Sequence, residues 1–368
     1  MPRSVESLFT PFTIRDLTLS NRIVMAPMTR ACSPGGVPGP DVAAYYRRRA
    51  GNGVGLIITE GTVVPHPGSS MNPGVPHFFG DDALAGWSRV LSGVHEMGGK
   101  IIPQLWHVGT FHKAGTEPNP EAAPFGPSGL AKPGEQIAEP PTEAQIAVVV
   151  EAYASAAAAA RQLGFDGIEL HGAHGYLIDQ FFWEGTNRRT DRYGGSLAAR
   201  GRFGLEVVSA CRRAVGPDFP IVLRYSQWKL QDFNAKLVET PAELATFLAP
   251  LAEAGVDVFH CSTRRFWQPA FDESNLTLAG WTKKLTGKPV IAVGSVGLDN
   301  DFVAGLFEHK AGRNSGLERL VQLIDDGEAD LVAIGRALLV DPAWVVKIRD
   351  GRTDELVPFT PEAIKTLY

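Results

Sequence analysis

Short apolar segments rich in branched residues alternate along the chain with longer segments in which apolar positions recur every three to four residues. The short segments have the length and composition of buried strands, and the longer ones have the periodicity of helices that pack on one face. This alternation repeats eight times. The predicted strands are Arg22–Ala26, Val54–Thr59, Lys100–Leu105, Asp166–Leu170, Pro220–Tyr225, Val256–Cys261, Pro289–Val293 and Asp330–Ile334.

The helical patterns lie between and after these strands. Thr142 with Gln145 predicts a capping box, and Thr240-Pro241 places proline at the first helical position. Eight strand–helix units predict a TIM (β/α)8 barrel, with an open doubly wound sheet as the alternative. The predicted helices are Asp41–Ala50, Asp82–Met97, Thr142–Leu163, Leu197–Val215, Pro241–Ala254, an ambiguous segment near Leu276–Leu285, Arg313–Asp326 and Pro342–Arg349.

Two segments do not follow the alternation. Residues 8–19 alternate like a hairpin that turns at Arg15-Asp16, and we expect this hairpin to plug the bottom of the barrel. Residues 107–141 are rich in proline and glycine and follow the third strand, so we expect a capping insertion over the barrel mouth. The chain contains no linker that would divide it, and residues 1–368 are predicted to form a single domain.

Composition excludes several classes of protein. The chain is 44% hydrophobic and 20% charged, which is typical of a large buried core rather than of disorder. A net charge of −5 without a basic stripe argues against nucleic acid or a membrane surface as a partner. We find no leader pattern and no run of about 20 apolar residues. Three isolated cysteines fit a reducing cytoplasm. We expect a small-molecule substrate as the partner, and the sequence does not decide between a monomer and a homodimer.

Polar, aromatic and glycine residues follow nearly every predicted strand, at the rim where barrels carry their chemistry. The strongest group is His171-Gly172-Ala173-His174-Gly175-Tyr176. Two neutral imidazoles three residues apart form a pair of donors for one carbonyl or nitro oxygen, and Tyr176 is a candidate proton donor. The alternatives are histidines that cap backbone groups, or a metal site that takes a third ligand from Glu169, His107 or His260.

A second group of residues indicates phosphate binding. Strands seven and eight end in glycine, at Gly294-Ser295 and at Gly335-Arg336. In many barrels these two loops bind a phosphate, because small residues let backbone N–H groups approach its oxygens. Arg336 adds a planar cation that suits a phosphate. The alternative is that the two glycines only turn the chain.

Taken together, these residues resemble the old yellow enzyme family of FMN-containing ene-reductases over nearly the whole chain. The matching segments follow one another in family order and at family-like spacing. They are residues 21–30 (Asn-Arg-Ile-Val-Met-Ala-Pro-Met-Thr-Arg), Thr59-Glu60-Gly61, Gln104-Leu105-Trp106, residues 171–177 (His-Gly-Ala-His-Gly-Tyr-Leu), residues 187–196 (Asn-Arg-Arg-Thr-Asp-Arg-Tyr-Gly-Gly-Ser) and Ile334-Gly335-Arg336.

The resemblance implies a cofactor site for tightly but non-covalently bound FMN. Thr29 would donate to the flavin C4 carbonyl, with Pro27 and Met28 beside it. Gly61 would offer backbone to the ring, and Gln104 would bind the pyrimidine edge. The remaining implied contacts are Arg224 near N1 and the C2 carbonyl, and Gly294, Ser295, Gly335 and Arg336 at the phosphate.

The resemblance also implies the reaction. NAD(P)H would act as a transient reductant of FMN, and hydride from flavin N5 would then reach the β-carbon of an α,β-unsaturated carbonyl or nitro compound. His171 and His174 would bind the substrate oxygen, Tyr176 would protonate the α-carbon, and Trp106 would contact the substrate. The physiological substrate and the choice between NADH and NADPH do not follow from the sequence.

Four features depart from the family pattern. Position 174 is histidine where some members have asparagine, and both residues can donate a hydrogen bond. The stretch Tyr-Ser-Gln-Trp after Arg224 is not a standard family segment. After the sixth strand, Phe266 and Trp267 are candidate substrate contacts, with packing of the loop as the alternative. The tail after Asp350 lacks an aromatic extension, so the residues that form that wall of the pocket are not predicted.

Overall fold

The computed structural model describes residues 4–272, 274–299, 308 and 310–368, and its central feature is a closed barrel of eight parallel strands. Around the barrel the strands follow the order β3, β4, β5, β8, β9, β10, β13 and β14. The strands are β1 Phe12–Ile14, β2 Leu17–Leu19, β3 Ile23–Met25, β4 Leu56–Val63, β5 Ile101–Trp106, β6 Leu130–Lys132, β7 Glu135–Gln136, β8 Ile168–His174, β9 Ile221–Lys229, β10 Val258–Ser262, β11 Pro269–Phe271, β12 Ser274–Thr277, β13 Val290–Val293 and β14 Leu331–Ile334.

Helices connect the barrel strands and cover their outer surface. The capping box predicted at Thr142 and the proline predicted at the first position of the helix after Thr240 are both present, and Thr240 forms a second capping box with Glu243. The helices are α1 Pro40–Gly51, α2 Asp81–His95, α3 Glu143–Leu163, α4 Leu177–Phe182, α5 Leu197–Arg200, α6 Arg202–Val215, α7 Pro241–Ala254, α8 Leu278–Thr286, α9 Leu317–Asp325, α10 Arg336–Val340 and α11 Trp344–Arg349.

The predicted barrel is confirmed, and the alternative of an open sheet is wrong, because the eight strands close on one another. Each predicted strand overlaps one observed barrel strand. The differences lie at the ends of the elements. The predicted helix Leu197–Val215 is divided into α5 and α6 at Gly201. The ambiguous segment near Leu276–Leu285 is β12 followed by α8, and α9 begins only at Leu317 because Gly316 has a left-handed backbone.

Buried side chains form two main layers of core, one inside the barrel and one between the strands and the helices. In β3, Val24 belongs to the inner layer, whereas its neighbours Ile23 and Met25 belong to the outer one. This division follows from the two-residue period of a strand. Both faces of each barrel strand are therefore buried, which explains why the sequence shows apolar runs instead of strict alternation.

The predicted hairpin at residues 8–19 is present as β1 and β2, which pair antiparallel around Arg15. Ile14, Leu17 and Leu19 share one cluster with the inner layer of the barrel. The Arg15 side chain donates to the carboxylate of Asp257, which directly precedes β10. The hairpin therefore lies at the amino-terminal end of the barrel, opposite the carboxyl ends of the strands.

Helix α3 is long and apolar enough to cross a membrane by length and composition alone, with a hydropathy of 1.2. In the structure it is an outer helix of the barrel. Its buried residues, such as Ile146, Val149 and Tyr153, belong to the core layer between strands and helices. A core helix of this kind passes the same test of length and composition as a spanning helix.

The insertion at residues 107–141 contains the small hairpin of β6 and β7. Its first residues pack beside the carboxyl ends of the strands, where the ring of Phe111 lies 5.0 Å from that of Tyr176. The backbone N–H of Thr110 donates to the side chain of Gln180 on α4. The insertion thus supports the segment that follows β8.

Asp257 joins three segments of the chain at the amino-terminal end of the barrel. Its carboxylate accepts from Arg15, from Arg212 on α6 and from the backbone N–H of Ile221. Asp257→Asn would remove the charge and leave two arginines facing a neutral amide. We expect the free energy of unfolding to fall by about 3 kcal/mol, measured by urea denaturation. Asp350→Asn, at an exposed ion pair, is the control and should leave the urea midpoint unchanged. Equal midpoints for both variants would contradict this role of Asp257.

Candidate active site

A deep cavity opens at the carboxyl ends of the barrel strands and encloses about 1220 Å³ of space including its mouth. Ligand sites in barrels lie at this end. Its lining comes from the ends of seven strands and the segments after them: Ala26 to Arg30, Gln104, Trp106, His171, His174, Tyr176, Arg224, Trp228, Leu230, Ser262 to Arg264, Val293 to Val296, Leu298, Ala333, Gly335, Arg336, Leu339 and Ile364.

His171 and His174 both lie on β8 and both reach this cavity. Their ring centroids are 5.3 Å apart and the ring planes are nearly perpendicular. His174 has a positive φ of 65°, an uncommon backbone conformation for a residue other than glycine. Its backbone N–H donates to the Ser226 hydroxyl, which helps to hold this conformation. This backbone conformation allows the His174 imidazole to reach the cavity only three residues after that of His171.

Both imidazoles are neutral near pH 7. Burial lowers the pKa of His171 and of His174 well below the usual value, and the neighbouring guanidinium of Arg224 lowers both further. Each ring therefore carries one N–H group. His174 Nε2 lies 2.7 Å from the Ser262 hydroxyl, which also accepts a hydrogen bond from Arg224 at 3.2 Å.

Tyr176 completes a cluster of rings on the same side of the cavity. Its ring centroid lies 4.9 Å from that of His171 and 4.8 Å from that of Trp106. Burial raises the pKa of Tyr176 to about 12, so the phenol keeps its proton at neutral pH. The structure thus brings together one proton-bearing phenol and two imidazoles, as the sequence predicts.

Arg224 lies on β9, level with His171 on one neighbouring strand and with His260 on the other. Its side chain is buried, and the Nε atom has no hydrogen-bond partner among the described residues. A buried donor without a partner is costly, so this atom is available for an acceptor that enters the cavity. Beside it, Glu169 accepts from Gln104 and bonds to His260 at 2.6 Å, which fixes the floor of the cavity.

The two loops predicted to bind phosphate meet at one side of the cavity. Gly294 has a φ of 146°, and a Cβ atom there would lie 2.4 Å from the Thr263 carbonyl oxygen. Ser295 also has a positive φ, and its hydroxyl donates to the Arg264 carbonyl. With Gly335 and the largely buried Arg336, these residues line the cavity. The glycine at 294 is therefore required by the close approach of two backbones.

Glu60 binds the loop that follows β3, the neighbour of β14 in the barrel. Its Oε2 atom accepts from the backbone N–H groups of Arg30 and Ala31, at 2.8 and 2.9 Å. Its Oε1 atom is buried without a partner in the described part of the chain. Burial raises the pKa of Glu60 to about 7, against these two hydrogen bonds, which lower it. The sequence places Glu60 at a strand end but does not predict this role.

Arg30 links this loop to the carboxyl-terminal segment. Its guanidinium donates to the backbone carbonyls of Ile364 and Thr366, at 2.7 and 2.6 Å. Ile364 lines the cavity, so the segment forms the wall that the sequence leaves without predicted residues. Because the acceptors are backbone carbonyls, the side chains of this segment do not predict the contact.

Of the predicted cofactor residues, Pro27, Met28, Thr29, Gln104, Arg224, Gly294, Ser295, Gly335 and Arg336 line the cavity. Gly61 is not among the lining residues. A Cβ atom on Gly61 would lie 2.5 Å from the Trp106 ring, so the absence of a side chain lets Trp106 take its place at the cavity.

Phe266 and Trp267, the candidate substrate contacts after β10, also lie outside the cavity lining. Phe266 is 2% exposed and packs in the outer core, while Trp267 packs against it under the Arg319 side chain. The structure favours packing of the loop over substrate contact for both. Trp228, which the sequence does not predict as a site residue, does line the cavity and stacks on His174.

The geometry also bears on the alternative of a metal site. Glu169 already binds Gln104 and His260 through its two oxygens, and His107 uses both ring nitrogens for His66 and the Gly109 backbone. His260 binds Glu169 through Nδ1, and its buried Nε2 atom has no hydrogen-bond partner among the described residues, so of the three proposed third ligands only His260 keeps a free ring nitrogen. Among the described residues, no group of three or more histidine, cysteine, aspartate and glutamate side chains has metal-binding geometry.

Comparison with known proteins agrees with this geometry. Residues 7–355 match the model of the NADH:flavin oxidoreductase / NADH oxidase family. The chain is 34% identical to 12-oxophytodienoate reductase 7 of Oryza sativa subsp. japonica, over 93% of this chain and 87% of that protein. The chain belongs to the old yellow enzyme family.

Further relatives fit the same family. The chain is 34% identical to the NADH oxidase of Thermoanaerobacter brockii over 95% of its own length, but it spans only 52% of that longer protein. A structure of morphinone reductase in complex with tetrahydroNAD superposes with a TM-score of 0.81 at 30% identity, covering 97% of this chain and 94% of the other. An old yellow enzyme homologue from Zymomonas mobilis gives 0.80 at 25% identity, covering 98% and 96%.

As a member of the old yellow enzyme family, the chain is an oxidoreductase that uses FMN, with NAD(P)H as reductant. The residues at the cavity fit this cofactor. The glycine loops at one side suit a phosphate, and Arg336 lies beside them. The unpartnered Nε of Arg224 suits the oxygen-rich edge of a flavin, on which reduction places negative charge.

Glu60 should make the stability of this old yellow enzyme depend on pH. Its pKa in the folded protein, about 7, lies above the unfolded value, so the folded state binds more protons and loses stability as pH rises from 5 to 8. Glu60→Gln removes this ionisation. We expect the free energy of unfolding of the wild type, relative to Glu60→Gln, to fall by about 2–3 kcal/mol over that range, measured by urea denaturation at both pH values. A difference that stays constant with pH would show that Glu60 does not titrate as described.

Proposed function

We propose that this protein is an ene-reductase, which uses NAD(P)H and FMN to reduce the activated carbon–carbon double bond of α,β-unsaturated carbonyl and nitro compounds. The observation that carries the proposal is the cluster of two neutral imidazoles and one protonated phenol on a single wall of the cavity. The relatives named as reductases of 12-oxophytodienoate and of morphinone support it.

In this proposal FMN would be held at the carboxyl ends of the strands by residues that line the cavity, among them Pro27, Met28, Thr29, Gln104 and Arg224. Thr29 offers a hydroxyl donor, Gln104 an amide, and Arg224 a permanent positive charge. The phosphate is held by Gly294, Ser295, Gly335 and Arg336. Bound FMN supplies a hydride, received from NAD(P)H, for the β-carbon of the substrate.

His171 and His174 bind the oxygen of the substrate's electron-withdrawing group. Because both rings are neutral, each presents a single N–H, and two donors on one oxygen stabilise the negative charge that develops as the double bond is reduced. A neutral donor also avoids pairing the oxygen with a fixed cation before the reaction begins. The low pKa values of the two rings keep this state throughout the neutral range.

Tyr176 supplies the proton for the α-carbon. Its pKa of about 12 means that the phenol is protonated whenever the substrate is bound, and its ring lies within 5 Å of that of His171. Trp106 packs against both rings and limits the directions from which a substrate can enter. Carbanion-like carbon next to a carbonyl is basic enough to take a proton from such a phenol.

The direct test is a substrate panel with NADH and NADPH as reductants. We expect purified protein to carry a flavin absorbance spectrum and to oxidise NAD(P)H only slowly until cyclohexenone, a maleimide or a nitroalkene is added. Formation of the saturated product, detected by gas chromatography, identifies the reaction. A flavin-containing protein whose NAD(P)H oxidation does not respond to any of these acceptors would contradict the proposal.

Tyr176→Phe removes only the phenol oxygen. We expect the variant to retain FMN and its reduction by NAD(P)H, whereas reoxidation by cyclohexenone slows by about 10²–10⁴-fold, because the proposed proton donor to the α-carbon is lost. Stopped-flow absorbance measures the two half-reactions separately. Tyr153→Phe, which removes the same atom from a buried residue of α3, is the control. If cyclohexenone reoxidises Tyr176→Phe at the wild-type rate, Tyr176 is not the proton donor.

Arg336 is predicted to distinguish FMN from riboflavin, which lacks the phosphate. Arg336→Met removes a charged donor at the glycine loops, so the Kd for FMN should rise by about 10–100-fold. The Kd for riboflavin should not change, because riboflavin has no group for this residue to bind. Fluorescence titration of the apoprotein with each flavin measures both constants. An equal loss of affinity for the two flavins would place Arg336 away from the phosphate.

A further inference from the structure

Strand β9 continues past Arg224 through the segment that departs from the family pattern. In this extension Trp228 lines the cavity, and its ring stacks on that of His174, with centroids 4.4 Å apart and planes 24° apart. The next residue, Lys229, pairs in register with His174 on β8. The extension thus lies directly against the turn that presents His174 and Tyr176.

Lys229 is fully buried and forms an ion pair with Asp179 of α4, which is also fully buried. Its Nζ atom lies 2.7 Å from Asp179 Oδ1 and donates a second hydrogen bond to the Ser226 carbonyl. Lys229 is not part of the cavity lining. A pair of buried charges is costly to desolvate and contributes little net stability compared with apolar residues, so its value lies in the geometry that it fixes.

That geometry is the turn at Gly175, between His174 and Tyr176. The second oxygen of Asp179 accepts the backbone N–H of Gly175 at 2.7 Å. The carbonyl of Gly175 accepts from the side chains of Gln180 and Gln231, at 2.7 and 3.0 Å. Side chains therefore bind both the backbone N–H and the backbone carbonyl of Gly175.

The turn needs such support because two consecutive residues have left-handed backbone conformations. His174 has a φ of 65° and Gly175 a φ of 77°. A residue with a Cβ atom is strained in this region, and it stays there only when its surroundings hold it. The backbone N–H of Leu230, next to Lys229, donates to the His174 carbonyl and completes the contact between the strand extension and the turn.

We infer that Lys229 is a positioning residue for His174 and Tyr176: through Asp179 it fixes the Gly175 turn that holds both side chains at the cavity. This inference rests on the proposed function, because it gives His174 and Tyr176 their roles. Lys229 itself does not touch the substrate. Its effect should therefore appear in the reaction with an enone and not in reactions that need no donor to the substrate oxygen.

The test compares two acceptors on the same reduced enzyme. Lys229→Met keeps the length of the side chain and removes the charge. After anaerobic reduction with dithionite, reoxidation by cyclohexenone should slow by about 10–100-fold, as expected for donors that are displaced by about 1 Å. Reoxidation by dioxygen should stay within about twofold of the wild type, because dioxygen does not use the imidazole pair. The measured quantity is the ratio of the two rates, which a general loss of stability does not change.

Two further variants keep this test decisive. Lys283→Met makes the same chemical change at an ion pair with Asp330, at the amino-terminal end of the barrel, and should leave the ratio unchanged. The double variant Lys229→Met/Asp179→Asn removes the carboxylate that Lys229→Met leaves buried and unpaired. If the single variant does not fold, the double variant carries the test and should show the same loss of reaction with cyclohexenone.

His174→Ala separates failure of this inference from failure of the proposed function. If His174→Ala reacts slowly with cyclohexenone but both Lys229 variants keep the wild-type ratio, the turn does not depend on Lys229 and the inference is overturned. If His174→Ala itself keeps the wild-type ratio, the role proposed for His174 is wrong and the inference falls with it, whereas a wild-type enzyme that does not react with cyclohexenone would contradict the proposed function. A low ratio for His174→Ala and for both Lys229 variants, with a normal ratio for Lys283→Met, is the expected result.

Discussion

The hydrogen-bond register between neighbouring barrel strands decides which side chains can meet at the cavity. On β8, β9 and β10 it sets His171, Arg224 and His260 at one level. One level lower it pairs Gln104 of β5 with Glu169 of β8. Because side chains alternate between the two faces of a strand, a shift of one residue in any of these pairs would turn a polar group into the outer core. Closure of the barrel forbids such a shift.

The same constraint explains the electrostatic character of the site. A permanent guanidinium, two imidazoles and a phenol share one enclosed volume, and burial acts on each of them differently. Burial lowers the pKa of His171 and His174, so both imidazoles are neutral, and it raises the pKa of Tyr176, so the phenol keeps its proton. Arg224 adds to the first effect, since a nearby positive charge disfavours a second one. His171, His174 and Tyr176 are therefore neutral donors beside the guanidinium of Arg224, and none of the three changes its charge near pH 7.

The sequence predicts the architecture well, because strands buried on both faces leave continuous apolar segments that are easy to identify. It also predicts the histidine pair and Tyr176, since unusual polar residues follow directly after such a segment. It does not predict Trp228, because β9 runs four residues beyond the last apolar position, through a mixed stretch whose strand conformation depends on pairing with β8.

Loops are the other place where residue type is a poor guide to position. Phe266 and Trp267 have the composition of a substrate wall, yet the Phe266 backbone bonds to the Gly294 carbonyl and the ring turns into the core. For Glu60 the sequence suggests no partner, yet its carboxylate binds the backbone N–H groups of Arg30 and Ala31 in a distant loop. In both cases the outcome depends on which backbone groups meet after folding, and side-chain patterns do not encode that.

The contact between Arg30 and the carbonyls of Ile364 and Thr366 has a practical consequence for work on this enzyme. The acceptors are backbone carbonyls, so a substitution of the Ile364 side chain keeps this acceptor while it alters the shape of the entrance. Libraries aimed at accepting bulkier molecules can therefore start at position 364. An affinity tag is better attached at the other end of the polypeptide, beyond the hairpin, where it cannot obstruct the opening.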